Sequence, residues 1–405
     1  MGRLRPCWRL TNVALVVGLL PISLALMGCG VSPGPAAAPP SQSPNTVLLT
    51  AYGATCDGRH NDQPALQAAL NDVSSKGGGV VVVPAATCRI VQTESIPWTN
   101  LTGPVTLRGA SDSSTLSFDS DQLDAYRELF RVSGTGASLQ GVRLVRARDT
   151  YGVMVNIAAS TNLSFDGVVI DGKKDAYGTR EFHGIALGGN PGDVIRDVAL
   201  VNTTIENVDY GIYQANSTRS TIDGFRVDSS TFTRNLADDV ELNAPQGAIT
   251  HVSVTRSRFL DNRKPADPLG SGFGVGLANV QHAVIEGNTF NGYRYEPIHI
   301  EDRSAFVDVR GNSFSDSFTA AVNWAAHVLV VGSSHDITIT GNTFDTTANK
   351  NSIDCVYVGA GGAPTAPDKV VVTGNTFKLR PSAQVIAVYG ATNVTTSSNM
   401  TTPVA

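Results

Sequence analysis

The segments AVIEGNTF (residues 283–290), FVDVRGNSF (306–314), DITITGNTF (336–344) and VVVTGNTF (370–377) are four copies of one unit. Each is a short β-type run, then Gly-Asn, then Thr or Ser, then Phe. HVSVTRSRF (251–259) and VDSSTF (227–232) are looser versions. The closing residues Phe232, Phe259, Phe290, Phe314, Phe344 and Phe377 lie 27, 31, 24, 30 and 33 residues apart. A repeat of 20–50 residues is the signature of a solenoid. A constant unit with variable spacing means that each turn carries a loop of free length. The Phe and Asn columns read as internal stacks and turn ladders.

A second strand per turn can be aligned beside the first. Its copies are GVMVN (from 152), GIALG (184), GIYQA (211), DVELN (239), GVGLA (274), PIHIE (297), AVNWA (321) and CVYVG (355). The second and fourth positions are apolar in nearly every copy. Strand side chains alternate between faces, so those positions point inward, and the first, third and fifth are expected to point outward. The expected outer third column is Met154, Ala186, Tyr213, Glu241, Gly276, His299, Asn323 and Tyr357. The fifth includes Asn243, Ala278 and Glu301, and the first offers Asp239 beside several glycines.

Most of that face is small or apolar. Ionisable groups gather on two rungs, Asp239 with Glu241 and His299 with Glu301, separated by a rung of Gly274, Gly276 and Ala278. With neighbouring strands about 4.8 Å apart, Glu241 and His299 should stand roughly 10 Å apart across a floor without side chains. Asp239 and Glu241 should be about 7 Å apart, as residues i and i+2 of a strand. Inverting glycosidases hold their two carboxyls about 6.5–9.5 Å apart. The expectation is a trough with polar walls, wide enough for a sugar ring.

Composition agrees with a β-rich, folded chain. Of 405 residues, 41 % are hydrophobic and 16 % charged, with 40 Gly. The net charge of −5 and the absence of a basic run beyond the first residues argue against nucleic acid, whose binding rests on neutralising phosphates. The N-terminus reads as an export signal. Arg3, Arg5 and Arg9 precede an apolar run from Val13 to Leu26, which is short against the roughly 20 residues that a membrane-spanning helix needs. Leu26-Met27-Gly28-Cys29 resembles the lipobox of bacterial lipoproteins. That resemblance implies cleavage after residue 28 and a lipid on the Cys29 thiol. Residues 29–45 then form a tether rich in Pro, Ala and Ser, and residues 46–405 the folded domain. The expected location is the cell envelope, with membrane contact only through the lipid. Gly30, where an Asp retains resembling lipoproteins at the inner membrane, favours the outer membrane of a two-membrane cell.

Residues 46–91 read as a cap. Asp62 is a candidate N-cap, Pro64 suits a first turn, and Leu66, Ala69, Leu70 and Val73 share one helical face. Gly77-Gly78-Gly79 ends the helix and Val80 to Val83 is a strand. Cys56 and Cys88 flank this unit, and in an oxidising compartment they are expected to pair, leaving Cys355 unpaired. The segment AYGATCDGRHNDQPALQAALNDVSSKGGGVVVVPAATCRIV (51–91) resembles the opening of the pectate-lyase superfamily. There a G-A-x-G-D-G turn, an acid-capped helix, a Gly run and a V-x-x-P-A-G-x-Y strand begin the domain. The resemblance implies an all-β fold, a right-handed parallel β-helix whose N-terminal helix covers the open end. Cys56 and Cys88 replace a Gly and a Tyr of that pattern, a paired departure that again favours a bridge.

A layout similar to the polygalacturonases of that superfamily covers about 100 residues. Their motifs N-T-D, G-D-D, G-H-G and R-I-K fall on consecutive rungs. The corresponding residues here are Asn207-Val208-Asp209, Ala237-Asp238-Asp239, Gly270-Ser271-Gly272 and His299-Ile300-Glu301. The resemblance implies carboxylate catalysis by Asp209, Asp238 and Asp239. The motif His is missing, and the basic pair that holds a substrate carboxylate has become His299 and Glu301. An acid there repels galacturonate, so a neutral sugar, or a different acid/base pair, is the better expectation.

The leading functional expectation is therefore a glycoside hydrolase acting on a polysaccharide. Asp238 and Asp239 would be acid and base, aided by Asp209 and Glu241. His299, Glu301 and Asp302 would bind or tune the sugar, with Tyr213 and Tyr357 stacking on neighbouring rings and Asn243, Arg303 and Asn323 lining the path. Two alternatives stand beside it. A lyase or epimerase would take its proton with a His/Tyr pair such as His299 and Tyr213, or with Arg303. A non-catalytic surface protein would bind polysaccharide without changing it. These motifs require no cofactor; the carboxylates Asp238, Asp239, Glu301 and Asp302 have the oxygen chemistry that suits Ca²⁺. The oligomeric state is left open.

Overall fold

The computed structural model describes residues 45–403, apart from short stretches at 96–97, 175–179, 189, 191, 215–218, 245, 263–271, 318–325, 350–353 and 381–382. The export segment, the tether with Cys29, and Asn323 lie outside the described residues. From Phe182 onward each coil contributes three strands. A short strand such as Val240–Asn243 is followed by a longer one such as Ala248–Thr255, then by a three-residue strand such as Arg258–Leu260. Each pairs in parallel with its equivalent in the next coil, giving one sheet of 23 strands and one of 13. The chain is a parallel β-solenoid.

The repeated unit explains its own turn. The residue before the Asn must adopt positive φ, and Gly does so at no steric cost: Gly287, Gly311, Gly341 and Gly374 have φ of 62–65°. The Asn that follows is buried and spans coils. The Asn312 Oδ1 accepts the backbone N–H of Asn288 at 2.9 Å, while its own Nδ2 donates to the Ile285 carbonyl at 2.8 Å. Asn342, Asn375 and Asn399 continue the ladder coil by coil. On the earlier coils Ser257 and Ser230 hold the same place with their hydroxyls. Two residues further on, the rings of Phe232, Phe259, Phe290, Phe314, Phe344 and Phe377 stack 4.7–5.1 Å apart and within 10° of parallel. That spacing is the distance between paired strands. Ile212, Val240, Val275, Ile298, Val328 and Val356 form an aliphatic column beside them. In the final coil, Thr396 and Thr401 take the places of Val372 and Phe377, so the core columns end in polar residues.

At the other end the helix Gln63–Ser75 buries Leu66, Ala69, Leu70 and Val73 in the core. Asp62 does not cap it with its side chain. Its carboxylate accepts instead from the backbone N–H groups of Thr55, Cys56 and Arg89 at 2.7–3.3 Å, pinning the turn that precedes the helix. A disulfide joins Cys56 to Cys88 beside it.

Two rungs differ from the sequence alignment. Asn156, not Met154, pairs with Ala186 in the outer column, and Met154 is buried in the core. On the rung after His299, the strand is Ala326–Val330, and Leu329 occupies the position expected for Asn323. Loops of free length allowed a plausible but shifted register at both places.

Removing one step of the Asn ladder should be costly. Asn342→Ala leaves the buried Asn312 N–H without a partner, at about 1–3 kcal/mol, and removes the side-chain bonds to the Val309 carbonyl and Asn375, at about 0.5–1.5 kcal/mol each. Denaturant unfolding should show a loss of about 2–5 kcal/mol; a change near zero would contradict the ladder's role.

Candidate functional site

The short strands place one outer column in register: Ala186, Tyr213, Glu241, Gly276, His299, Leu329 and Tyr357. Its middle is polar and its two ends are aromatic. At one end Tyr213 packs with Tyr210 and His183, ring centroids 4.9–5.2 Å apart. At the other, Tyr357 lies 5.4 Å from Tyr389.

Glu241 leans over the glycine floor. A Cβ built on Gly276 would lie 2.8 Å from the Glu241 carboxylate and 3.5 Å from the Phe273 ring. Any larger residue would displace the acid. Asn243 donates to Glu241 at 3.2 Å. Behind it sits Asp238, whose buried carboxylate accepts from the backbone N–H groups of Gly272 (3.0 Å) and Phe273 (2.8 Å) and is hydrogen-bonded to Glu241. Burial above all, with the charge and hydrogen bond of Glu241, raises the Asp238 pKa well above the ordinary carboxylate value; the two N–H groups pull the other way less strongly.

Across the floor the pull is reversed. His299 Nε2 lies 3.3 Å from Glu301, and Nδ1 lies 3.9 Å from the buried Glu296. The imidazole packs on Phe273 at 4.5 Å. Burial opposes its charge, but Glu296 and Glu301 outweigh burial and raise its pKa to about 9. The adjacent His299 in turn lowers the Glu301 pKa, against a smaller effect of burial. Beyond this pair opens a cleft of about 470 Å³, lined by His299, Glu301, Leu329, Val331, Tyr357, Gly361 and Gly362.

Several expected residues lie elsewhere. Asp239 does not face outward. The first position of the short strand points into the solenoid: a Cβ on Gly211 would meet Phe232 at 3.0 Å, and one on Gly274 would meet Phe290 at 2.8 Å. Asp239 is wholly buried there, accepting from Asn235 at 2.7 Å and from the Tyr293 hydroxyl. Asp209 is also interior, paired with the buried Lys174 at 2.6 Å and accepting the Phe182 N–H at 2.6 Å. Asp302 and Arg303 are exposed on the left-handed turn after the strand and do not line the cleft. The four carboxylates expected to suit Ca²⁺ are thus dispersed. Among the described residues the one cluster with metal-ligand spacing is Cys56, Asp62 and Cys88, whose thiols are already joined. Glu241, His299, Glu301, Tyr213, Asn243 and Tyr357 lie on the outer face. The sequence reading missed Phe273, Glu296 and Leu329. Phe273 and Glu296 each precede a strand by two residues, where the alignment carried no column.

A parallel β-helix with an acid-lined outer face is the class that fold and site define. The chain matches the right-handed β-helix region family over residues 135–401, and it belongs to that family. Its fold is similar to the A-module of mannuronan C-5 epimerase AlgE6 from Azotobacter vinelandii (TM-score 0.54, 15 % identity, 88 % of this chain and 100 % of that one). It is also similar to PfbA, a surface adhesin of Streptococcus pneumoniae (0.54, 15 %, 88 % and 91 %). A third is the tailspike of E. coli bacteriophage HK620, a double mutant in complex with a pentasaccharide (0.55, 15 %, 86 % and 65 %). A search of curated proteins by sequence found no match.

Burial raises the Asp239 pKa to about 7, above the opposing hydrogen bonds of Tyr293 and Asn235. An acid raised in the folded state stabilises the fold while it keeps its proton, so that contribution is lost as pH climbs from the unfolded value of about 3.9 toward 7. At about 1.36 kcal/mol per unit, the loss is roughly 4 kcal/mol. Asp239→Asn removes the charge; its Oδ1 can still accept from Asn235, while its Nδ2 would donate to the Tyr293 hydroxyl instead of accepting from it. Its melting temperature at pH 8 should exceed that of the unaltered protein, and the difference should shrink at pH 5. Equal melting temperatures at both pH values would contradict a buried, titrating Asp239.

Proposed function

We propose that the protein is an exported, lipid-anchored envelope protein that binds a polysaccharide along its short-strand face and hydrolyses it. The observation that carries this reading is the opposite pull on carboxyls flanking one floor. Burial, helped by the nearby Glu241, pushes the Asp238 pKa up, while His299 pushes that of Glu301 down. Pairs of acids driven apart in this way divide the roles of acid and base. Glu241 lies over Gly276, so about one to two strand spacings, roughly 5–10 Å, separate it from the His299–Glu301 rung. That range includes the carboxyl separations of glycosidases, about 5–9.5 Å.

In the proposed reaction Glu241 delivers a proton to the leaving glycosidic oxygen as its bond to C1 breaks, and the raised acid Asp238 behind it resupplies that proton. Water attacks C1 and gives its proton to Glu301. The buried Asp238 is a positioning residue, and His299 keeps Glu301 ionised. Proton abstraction by His299 and Tyr213 is less well supported. An imidazole with a pKa of about 9 is already protonated at neutral pH, and Tyr213 stands three rungs from it, about 14 Å away. The epimerase named for mannuronan and the tailspike holding a pentasaccharide support a polysaccharide as partner. The lipid anchor rests on Leu26-Met27-Gly28-Cys29 and the tether after it; Cys29→Ser is expected to move the protein from the membrane fraction to the soluble one.

Release of reducing ends from a panel of polysaccharides tests the chemistry. Glu241→Gln and Glu301→Gln should each lower turnover by about 100-fold or more. The pH profile of kcat/KM should be bell-shaped, with its acid limb below the usual glutamate range and its alkaline limb above the usual aspartate range. Unchanged turnover in Glu241→Gln would overturn the assignment. Oligosaccharide binding with no product from any polysaccharide would make the chain a binding protein.

A further inference from the structure

One apolar cluster lies outside the solenoid core. Ala326, Leu329 and Val331 pack together, with Tyr357 against them. Leu329 belongs to the same outer column as Glu241 and His299. An outward position in a solenoid strand ordinarily meets water and is polar. Here Leu329 and Val331 are 4 % and 7 % exposed. Part of that cover is the turn at Gly361, where an added Cβ would come within 2.7 Å of the Val331 side chain. The turn is pressed onto the cluster and forms one wall of the cleft beside Glu301.

The charge of that cleft is equally selective. Its ionic groups are His299 and Glu301, which already pair with each other. Among the described residues neither Lys nor Arg lines it. A uronate carboxylate placed there would meet Glu301 without a free cation, and carboxylate recognition depends on charge-assisted donors. An apolar wall next to an aromatic ring instead suits a sugar that carries a methyl group.

Resting on the polysaccharide reading above, we propose that this cleft is a subsite for a neutral sugar bearing a methyl-containing substituent. An acetamido or a 6-deoxy group would supply it. The ring packs on Tyr357 and the methyl on Leu329 and Val331. One methyl in a fitted apolar pocket discriminates by about 10–200-fold.

Calorimetric titration of the full chain with four neutral or anionic tetrasaccharides tests this. Chitotetraose carries acetamido groups, a rhamnose tetramer is 6-deoxy, cellotetraose has neither, and tetragalacturonate is anionic. One methyl-bearing probe should bind at least about tenfold more tightly than cellotetraose and tetragalacturonate; which of the two does so identifies the substituent. Val331→Thr, which keeps the shape and adds a hydroxyl, should reduce that preference to below about threefold, and so should Leu329→Asn. Their melting temperatures check folding. Cellotetraose or tetragalacturonate bound as tightly as the methyl-bearing probes would overturn the subsite and leave the polysaccharide reading standing. Preference unchanged in Val331→Thr would overturn the subsite too. No binding of any probe at millimolar concentration would count against both.

Discussion

Everything in this protein follows from one length, the spacing between parallel strands. Each coil must place its residues above those of the coil before, about 4.8 Å away. A planar ring fits that interval, and so does an amide whose oxygen and nitrogen bond to coils on either side. The Phe stack and the Asn ladder are two solutions to the same constraint. They also bind its tolerance. At Gly211 and Gly274 an added Cβ would run into the rings of Phe232 and Phe290, so those two rungs take no side chain at the first position of the short strand.

The site uses the same spacing for a different end. Stacking that orders the core also orders the outer face, so Glu241, Gly276 and His299 come into register without a dedicated loop. A rung without a side chain opens the gap between acids. The ring of Phe273 and the N–H groups of Gly272 and Phe273 then set local environments on its two sides. Burial raises the Asp238 pKa, and the imidazole of His299 lowers that of Glu301. The rigid scaffold supplies position, and the short approach before each strand supplies chemistry.

Much of this was legible in the sequence. GNTF and its variants carry a repeat, a turn and two internal columns in four letters, so the solenoid could be read directly. The inward columns were legible for the same reason, since apolar residues recur on every coil. The outer face was harder. Glycine shows no direction, so a column of glycines around Asp239 gave no sign that it faces inward against the Phe stack. Loops of free length let AVNWA pass for a rung that Ala326–Val330 occupies. Burial of Asp209 with Lys174 depends on two segments 35 residues apart and leaves no local mark. Glu241, His299 and Glu301 were found because they share a rung with regular neighbours; Phe273 and Glu296 were missed because they do not.

The most direct measurement is a crystal structure of the Glu241→Gln variant soaked with an oligosaccharide that the unaltered protein cleaves or binds. The account predicts a sugar chain running along the solenoid axis over Gly276 and Ala278. Its glycosidic oxygen should lie within hydrogen-bonding distance of residue 241, with a ring several sugars further along on Tyr357, four rungs or about 19 Å away. A saccharide bound on another face, with the floor between Glu241 and Glu301 empty, would contradict it.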